Sequence, residues 1–295
     1  MRRLAFDDKL VRSLVATQFP HWADLPLHPV KPGGWDHKIF RLGDRLAVRL
    51  PSAATYERQV EKEWDLLPAL APFLPLKISI PVATGKPASG YPWKWSIYEW
   101  IAGETAALDS IADLKDFAVA LAQFLIALQA IDPARGPPPG PDNFYRGGSL
   151  HIYDAETRQA IELLGDDIET DSAVRAWDMG LQTGWNQAPV WVHGDVSPGN
   201  LLIQDGRLTA VIDFGLLAVG DPACDLAIAW TLFDGRTRVA FRNALPLDDS
   251  TWARGRAWAL WKALIVASGL CATNAISQAQ SMRIIDEVLG DEYDA

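Results

Sequence analysis

Residues 193–200 read HGDVSPGN, and residues 212–215 read IDFG. The segment between these two polar motifs has two apolar runs, 201–203 and 208–212, on either side of Asp205-Gly206. An Asp-Gly pair between two apolar runs is a strong signal for a two-residue β-hairpin turn. We therefore predict an antiparallel hairpin that carries the two motifs to its open end.

The open end of this hairpin is expected to bring oxygen-bearing side chains together. Pairing about the turn places Gln204 opposite Arg207 and, counting outward, Asn200 opposite Val211. Asn200 and Asp213 then leave the same end of the hairpin, where opposed backbones lie roughly 5 Å apart. Mg²⁺ prefers such hard oxygen ligands and keeps substrate phosphates and water in its coordination shell. The spacing therefore predicts a magnesium site formed by Asn200 and Asp213.

Asp195 lies on the loop that enters the hairpin, five positions before Asn200. A carboxylate there can accept the proton of a hydroxyl group and orient its oxygen towards a metal-bound phosphoryl group. The alternative is a capped turn, because Asp, Ser, Pro, Gly and Asn all favour turns. The combination with a hairpin and a second acidic motif at its other end favours catalysis.

The two motifs, together with GDPACDL at residues 220–226, resemble the aminoglycoside phosphotransferase family, whose relatives include protein kinases, choline kinases and homoserine kinases. The likeness extends over nearly the whole chain in the order of its elements. It implies an α+β, protein-kinase-like bilobal fold, in which a small antiparallel β lobe precedes a larger, mostly helical lobe. It also implies that Asp195 is the general base, that Asn200 and Asp213 hold Mg²⁺, and that ATP or GTP donates the phosphoryl group.

Further residues in this region are expected to support the catalytic loop. Asp221 followed by Pro222 is a good start for a helix, since Asp caps the first turn and Pro fits its first position. Asp225 would lie in that first turn, where the helix dipole favours a carboxylate, and the family pattern implies that it braces the loop. His193 is expected to brace the same loop rather than to transfer protons.

The order of secondary-structure signals divides the chain near Gly103. Strand patterns predominate before it and helical periodicity after it. The predicted strands are 37–42, 45–50, 76–82 and 94–101, and the predicted helices begin after Asp7 and cover about 53–70, 111–128, 155–164, 171–184, 222–234, 250–271 and 279–289. We therefore predict an N-terminal nucleotide-binding lobe, residues 1–103, and a C-terminal catalytic and substrate-binding lobe, residues 104–295. A cleft between two such lobes is the expected place for ligands.

The small lobe carries weaker signals for nucleotide binding. Gly33-Gly34 lies where a kinase places the glycine-rich loop over the phosphates, although a plain turn explains the pair nearly as well. Residues 96–103 occupy the place of the interlobe hinge. The resemblance implies that the Glu99 carbonyl and the Ile101 N–H hold the edge of the adenine base.

Arg49 occupies the position at which kinases carry a phosphate-binding lysine. Arginine can clamp a phosphate in a bidentate manner but is bulkier than lysine, and an exposed strand arginine is the alternative. Glu63 shares the apolar stripe of its predicted helix, so its carboxylate faces inward and requires a partner. We predict that Arg49 and Glu63 pair in place of the Lys–Glu pair of kinases, with Glu57 as the other candidate.

Composition restricts the partners. The net charge of −10 and the pI near 5.0 disfavour nucleic acid and favour a cationic small-molecule acceptor. Asp and Glu are concentrated in residues 151–185, where a solvated helix face and a wall that attracts a cation are the alternatives. The only cysteines, Cys224 and Cys271, have neither metal-ligand spacing nor a disulfide pattern. His37, like the other histidines outside the catalytic loop, is expected at the surface or in a turn.

No apolar stretch is long enough to span a bilayer, so we expect a cytoplasmic enzyme without a membrane partner. Three functions remain open. The first is an O-phosphotransferase that acts on a hydroxyl of an aminoglycoside or related amino sugar. The second is a metabolic kinase for choline, homoserine or a sugar. The third is a pseudokinase, which the intact Asp195, Asn200 and Asp213 disfavour and the unusual Arg49 favours.

Overall fold

The computed structural model describes residues 6–31, 36–271 and 277–291. Within them the chain forms two compact units. The first comprises the described residues up to Pro72 together with Lys77–Ala102, and the second comprises Phe73–Leu76 together with the residues from Gly103 onward. The predicted loop at Gly33-Gly34 lies outside the described residues.

The described part of the first unit is an antiparallel sheet accompanied by two helices. The elements are α1 (Asp8–Gln18), β1 (Leu27–Pro29), β2 (His37–Leu42), β3 (Leu46–Pro51), α2 (Glu57–Leu70), β4 (Lys77–Ile78), β5 (Pro81–Gly85) and β6 (Trp95–Glu99). Five strands form the sheet in the order β1-β2-β3-β6-β5. Asp7 caps α1, as predicted, by accepting a hydrogen bond of 2.8 Å from the Leu10 N–H. The apolar face of α1 shares one core with the sheet.

The described part of the second unit is mostly helical. Its helices are α3 (Leu114–Gln129), α4 (Asp154–Leu164), α5 (Thr170–Leu181), α6 (Ile228–Thr231), α7 (Gly235–Ala244), α8 (Asp249–Ala267) and α9 (Gln278–Gly290). Its strands are β7 (Glu104–Thr105), β8 (Val190–Val192), β9 (Leu201–Gln204), β10 (Arg207–Val211) and β11 (Ala218–Gly220). Helix α8 is buried over most of its length and packs against α4, α5 and α9. The buried residues of α8 are mostly apolar, and its buried arginines, Arg254 and Arg256, have polar partners within the second unit.

The predicted hairpin is present as β9 and β10, but its predicted register is wrong by one residue. Gln204 lies opposite Arg207 as expected, whereas Val211 lies opposite Leu201 rather than Asn200. The cause is a bulge at Thr209, which adds one residue to β10 between the pairs on either side. The Ile212 N–H consequently donates to the Asn200 carbonyl at 2.9 Å, and both motifs still leave the open end of the hairpin.

Several predicted boundaries also differ from the structure. The strand predicted at 76–82 is divided into β4 and β5 just before Pro81, whose nitrogen cannot donate to a neighbouring strand. The helix predicted at 222–234 is a 3₁₀ segment, Pro222–Ala227, followed by the short α6. Among the helices of the described residues, none is both long enough and apolar enough to cross a bilayer.

Candidate active site

Strand β8 leads directly into the loop of residues 193–200, which the sequence predicts to be the catalytic loop, and Asp225 fixes the backbone of this loop. The Asp225 carboxylate is buried and accepts the N–H of His193 at 2.8 Å and the N–H of Gly194 at 2.7 Å. Gly194 has a φ of +86°, and a Cβ there would lie 2.6 Å from the carbonyl oxygen of Leu216. Only glycine therefore fits the position that precedes Asp195.

His193 joins this loop to the IDFG motif. Its Nε2 lies 3.1 Å from the carbonyl oxygen of Ile212, and its Nδ1 lies 3.2 Å from the backbone nitrogen of Asp195. Since an N–H donates to Nδ1 and a carbonyl accepts from Nε2, the ring is the Nε2–H tautomer. The ring also lies 4.5 Å from that of Phe214 between centroids. These are the contacts of a brace, which is the role predicted for His193.

Asn200 contacts two oxygen atoms of Asp195 through its amide nitrogen. Its Nδ2 lies 2.9 Å from the Asp195 carbonyl oxygen and 2.9 Å from Asp195 Oδ2. Both partners are acceptors, so the amide nitrogen has to face them and Oδ1 is turned away. Asn200 thus orients Asp195 while presenting a hard oxygen atom of its own.

Asp213 follows β10 with a left-handed backbone, at φ 66° and ψ 70°. Such a conformation is strained for a residue other than glycine and is characteristic of functional sites. Asp195 is exposed at the surface of its unit. The surrounding protein nevertheless displaces water from its carboxylate, and this desolvation raises the pKa of Asp195, while Arg146 opposes the shift and the charge of Asp213 adds to it.

The donor set of this loop fits a hard divalent cation. The Asp213 carboxylate and the Asn200 Oδ1 are oxygen ligands of the kind that Mg²⁺ takes. The set is too small to enclose an ion, so phosphate oxygens and water would have to complete its coordination. The residues present therefore fit a magnesium–nucleotide complex better than a closed metal site.

In the first unit, the predicted contact between Arg49 and Glu63 is confirmed. Arg49 Nη1 lies 3.1 Å and 3.3 Å from the two carboxylate oxygens of Glu63, and both side chains are buried. Glu57 accepts the Lys94 backbone N–H instead. The Glu63 carboxylate, on the buried face of α2, therefore pairs with Arg49, which is the cation that the sequence predicted as its partner.

Two further side chains complete this buried cluster. The Tyr98 hydroxyl donates a hydrogen bond to Glu63, and the Arg49 guanidinium lies 5.1 Å from the centre of the Tyr98 ring. Burial raises the pKa of Tyr98 well above its ordinary value, and the Glu63 charge raises it further. The prediction that His37 is a surface or turn residue is wrong: it is 2% exposed, with Nδ1 3.4 Å from Arg49 Nη2 and 3.2 Å from an Asp36 oxygen. A single histidine carries no periodic signal that could have indicated its burial.

The two residues predicted at the hinge lie at the end of β6. Glu99 is the last residue of that strand, and its N–H donates to the Ile80 carbonyl at 3.1 Å. Ile101 follows in an irregular segment. The nucleotide contacts predicted for both residues involve their backbone and stay predictions.

Three carboxylates of the acidic segment 151–185 form contacts within the second unit. Asp154 and Asp178 both bind Arg158, at 2.9 Å and 2.7 Å. Glu156 accepts a hydrogen bond of 2.6 Å from Trp261 Nε1. The remaining ones, Glu162, Asp166, Asp167, Glu169 and Asp171, are exposed. This distribution is that of a largely solvated face whose inner carboxylates hold α4 and α5 in place.

Two of the buried arginines in the described part of the second unit, Arg254 and Arg146, lie near the site and were not predicted from the sequence. Arg254 forms an ion pair with Asp221 at 2.6 Å. Asp221 also caps the 3₁₀ segment Pro222–Ala227. The pair borders a cavity of about 400 Å³, which is lined by neither Asp195 nor Asp213. Arg146 contacts the catalytic loop itself, since its Nε lies 2.8 Å from the Gly194 carbonyl oxygen. Both contacts join segments far apart in the chain, so no local pattern could have revealed them.

Comparison with known proteins agrees with this architecture. The uncharacterised protein YcbJ of Bacillus subtilis (strain 168) is 25% identical over 193 residues, which are 63% of this chain and 57% of that protein. This match spans little more than half the length of that relative. The solved complex of APH(2″)-IIIa with GDP and kanamycin superposes with a TM-score of 0.76 at 19% identity, covering 96% of this chain and 99% of that one. For macrolide 2′-phosphotransferase type I the TM-score is 0.60 at 19% identity, over 98% and 99% of the two chains.

Both structural likenesses lie at low identity and show the fold, which is the α+β, protein-kinase-like fold expected from the motifs. The model of the phosphotransferase enzyme family matches residues 29–258, which include the catalytic loop, the hairpin and the IDFG motif. The chain therefore belongs to the phosphotransferase enzyme family, as its resemblance to the aminoglycoside phosphotransferases indicated.

Proposed function

We propose that this phosphotransferase uses Asp195 as the general base that prepares a hydroxyl group of a small molecule for attack on the γ-phosphoryl group of ATP or GTP. The observation that carries the proposal is the double contact of Asn200 Nδ2, 2.9 Å from both the side chain and the backbone oxygen of Asp195. A carboxylate held in this way has one orientation, which is what proton transfer in the transition state requires. Oδ2 is engaged by Asn200, so Oδ1 is the atom that we assign to the acceptor's proton.

Asn200 Oδ1 and the Asp213 carboxylate would hold Mg²⁺ together with the phosphates of the donor. When bound, Mg²⁺ supplies positive charge that neutralises the phosphate oxygens during transfer. Because Asn200 would bind the ion and also orient Asp195, its side chain sets the position of the base relative to the phosphoryl group. Proximity of this kind accounts for much of the rate enhancement in phosphoryl transfer.

The first unit is proposed to bind the nucleotide. Arg49, oriented by Glu63, would contact the phosphates, Gly33-Gly34 would cover them, and the backbone of Glu99 and Ile101 would hold the base. The GDP bound to APH(2″)-IIIa supports a nucleoside triphosphate as the donor.

An aminoglycoside or related amino sugar is the first candidate acceptor. The kanamycin bound to APH(2″)-IIIa and the net charge of −10 support it. A metabolic acceptor with fewer positive charges is the second candidate. Three acidic side chains of the segment 151–185 already have partners within the unit, since Asp154 and Asp178 bind Arg158 and Glu156 binds Trp261. Fewer carboxylates therefore remain to attract a cationic acceptor, which favours this second candidate.

The test is transfer of label from γ-labelled ATP or GTP, with Mg²⁺, to a panel of aminoglycosides, macrolides, choline, homoserine and simple sugars. We expect an amino sugar to be labelled by the wild-type protein. Asp195→Asn should lower kcat by at least about 10²-fold, the lower end of what a positioned acid–base group contributes, with nucleotide affinity within a few-fold of wild type. Asp213→Ala should instead lose Mg²⁺-dependent nucleotide binding in a calorimetric titration.

Each alternative has its own outcome. Asp195→Asn with more than about a tenth of the wild-type kcat would remove Asp195 from the role of base. Labelling of choline, homoserine or a sugar, without labelling of any aminoglycoside, would select the second candidate. Nucleotide binding without transfer to any acceptor or to water would indicate a pseudokinase.

A further inference from the structure

Arg146 is a buried cation that forms no ion pair with a carboxylate of the described residues. Its side chain is 8% exposed, and none of the ion pairs among the described residues includes it. Its Nη1 instead lies 3.2 Å from the Phe144 carbonyl oxygen and 3.3 Å from the Tyr153 hydroxyl. The guanidinium also lies 5.0 Å and 5.1 Å from the ring centres of Trp258 and Trp261.

Such an arrangement is unfavourable for stability alone. Burial of a charge costs several kcal/mol unless it is paired, and cation–π contacts with tryptophan recover only about 2 kcal/mol each when desolvated. The segment that leads to Arg146 is strained as well, since Phe144 and Tyr145 have φ angles of 49° and 54°. Two consecutive left-handed residues cost about 1–3 kcal/mol each, and strain of this kind is typical of functional segments.

The contact that Arg146 gains is with the peptide that precedes the proposed base. Its Nε donates to the Gly194 carbonyl oxygen at 2.8 Å, and Asp225 accepts the Gly194 N–H at 2.7 Å on the other side. Gly194 is thus fixed through both of its backbone polar groups. The Gly194 carbonyl belongs to the peptide group that joins Gly194 to Asp195. The orientation of this peptide plane therefore determines the direction in which the Asp195 side chain leaves the backbone.

We propose that Arg146 is a positioning residue for phosphoryl transfer, which acts through the Gly194 carbonyl to orient Asp195. Asp225 holds the N–H of Gly194, and the peptide that follows Gly194 is held by Arg146 at its carbonyl oxygen and by His193 Nδ1 at the Asp195 N–H. Arg146 touches no reacting atom. Its loss should therefore lower kcat and leave the binding of nucleotide unchanged, because misplacement of a catalytic group by about 1 Å can cost on the order of 10²-fold in rate. This inference rests on the proposed role of Asp195.

The informative variants are Arg146→Lys and Arg146→Gln. Lysine retains the positive charge and its contact with the tryptophan rings, but it has no N–H at the position of Nε. We expect both variants to lose about 10- to 100-fold in kcat, with the KM for nucleotide within about threefold of wild type. The measurement is Mg²⁺-dependent transfer from ATP or GTP to the best acceptor of the panel, and also to water.

Arg238 provides the matched control. It is 7% exposed, its Nε lies 2.9 Å from the Ala229 carbonyl oxygen, and its guanidinium lies 5.5 Å from the Trp230 ring centre. It differs in pairing with Glu287 and Asp291 and in having no contact with the catalytic loop. Arg238→Lys should lower the melting temperature while the kcat of the folded fraction stays within about twofold of wild type.

Hydrogen exchange gives a second readout that does not need activity. A peptide that covers residues 193–197 should exchange faster in Arg146→Gln than in wild type, and as slowly as wild type in Arg238→Lys. Arg146→Lys with kcat within about threefold of wild type, or unchanged exchange in Arg146→Gln, would overturn the proposal. If Asp195→Asn itself remained active, the proposed function would fail instead, whatever the Arg146 variants did.

Discussion

Arg49 lies where the resemblance to kinases implies a phosphate-binding lysine, and its environment explains how an arginine is accommodated. Arg49 Nη1 contacts Glu63, Nη2 lies 3.4 Å from His37 Nδ1, and the guanidinium carbon lies 5.1 Å from the Tyr98 ring centre. A lysine has a single ammonium group, which could not contact Glu63 and His37 through two separate nitrogen atoms. The partners of Arg49 thus use the forked shape of an arginine.

If this cluster orients Arg49 towards the nucleotide phosphates, Glu63→Ala should weaken nucleotide binding by about 5- to 150-fold, or about 1–3 kcal/mol, because Arg49 would lose its orienting partner. Tyr98→Phe keeps the ring and removes only the hydroxyl, so its effect should be smaller. Calorimetric titration of each variant with Mg²⁺–nucleotide measures both effects.

The coupling between Arg49 and Glu63 follows from the same titrations. Residues in contact show interaction energies of about 0.5–3 kcal/mol in a double-mutant cycle. If the effects of Arg49→Ala and Glu63→Ala on nucleotide affinity simply add, the two residues act independently in binding and Glu63 does not orient Arg49 towards the nucleotide. The assignment of Asp195, Asn200 and Asp213 is unaffected.

At the scale of elements, the hairpin β9–β10 determines where the residues proposed for catalysis lie. Its turn residues Asp205 and Gly206 have φ angles of 50° and 73°, both positive, as a type I′ turn requires. Gly206 also lies against the backbone of Ala112, whose N–H donates to the Gly206 carbonyl at 3.0 Å. The turn thus fixes the hairpin to the segment that precedes α3.

A methyl group at Gly206 should therefore be destabilising for two reasons. Its Cβ would lie 2.6 Å from the Ala112 Cβ and 2.9 Å from the Ala112 nitrogen, in a left-handed conformation. We expect about 1–2 kcal/mol from the conformation and about 1–3 kcal/mol from overpacking. Gly269 is the control, since it has a φ of +78° in the same unit with nothing within 4 Å. Urea unfolding should show Gly206→Ala to be clearly less stable than Gly269→Ala, and equal values would mean that the contact with Ala112 has no energetic effect.

The elements were largely predictable because their signals are local. Apolar periodicity located α3, and the Asp-Gly signal located the hairpin. The register was missed by one residue because the bulge at Thr209 leaves no mark on an apolar–polar pattern. In the site, the three motif residues could be found from their spacing, whereas Arg146 could not, since a strained segment 48 residues away directs it to the loop.

At the scale of the whole molecule, aspartates that cap helices make the stability of the fold depend on pH. Asp248 accepts hydrogen bonds of 2.7 Å from both the N–H and the hydroxyl of Thr251 at the start of α8, and the hydroxyl contact lowers the pKa of Asp248. Thr237 lowers the pKa of Asp234 in the same way at the start of α7. A carboxyl with a lowered pKa in the folded state stabilises the fold above its unfolded pKa, near 3.9, and this contribution is lost as the pH falls through the folded pKa.

Asp248→Asn tests this sign. Asparagine still caps the helix through its oxygen atom but does not titrate. We expect the variant to melt below wild type at pH 6 and the two melting temperatures to converge between about pH 4 and pH 2. Burial raises the pKa of Asp225, so ionisation of this carboxyl lowers the stability of the fold as the pH rises. Both proteins contain Asp225, so this effect cancels in the difference between their melting temperatures. A gap in melting temperature that stays constant with pH would show that the Asp248 charge contributes nothing.

The two side chains that hold the Gly194 backbone also affect the order of events during folding. Arg146 lies 48 residues before Gly194, and Asp225 lies 31 residues after it. Helices form within about a microsecond, whereas contacts between distant segments are delayed by the entropy of closing long loops. A refolding chain can therefore have nearly all of its helices, with HGDVSPGN present in its sequence, before Asp195 has a defined direction. Catalytic competence should be among the last properties that this protein acquires.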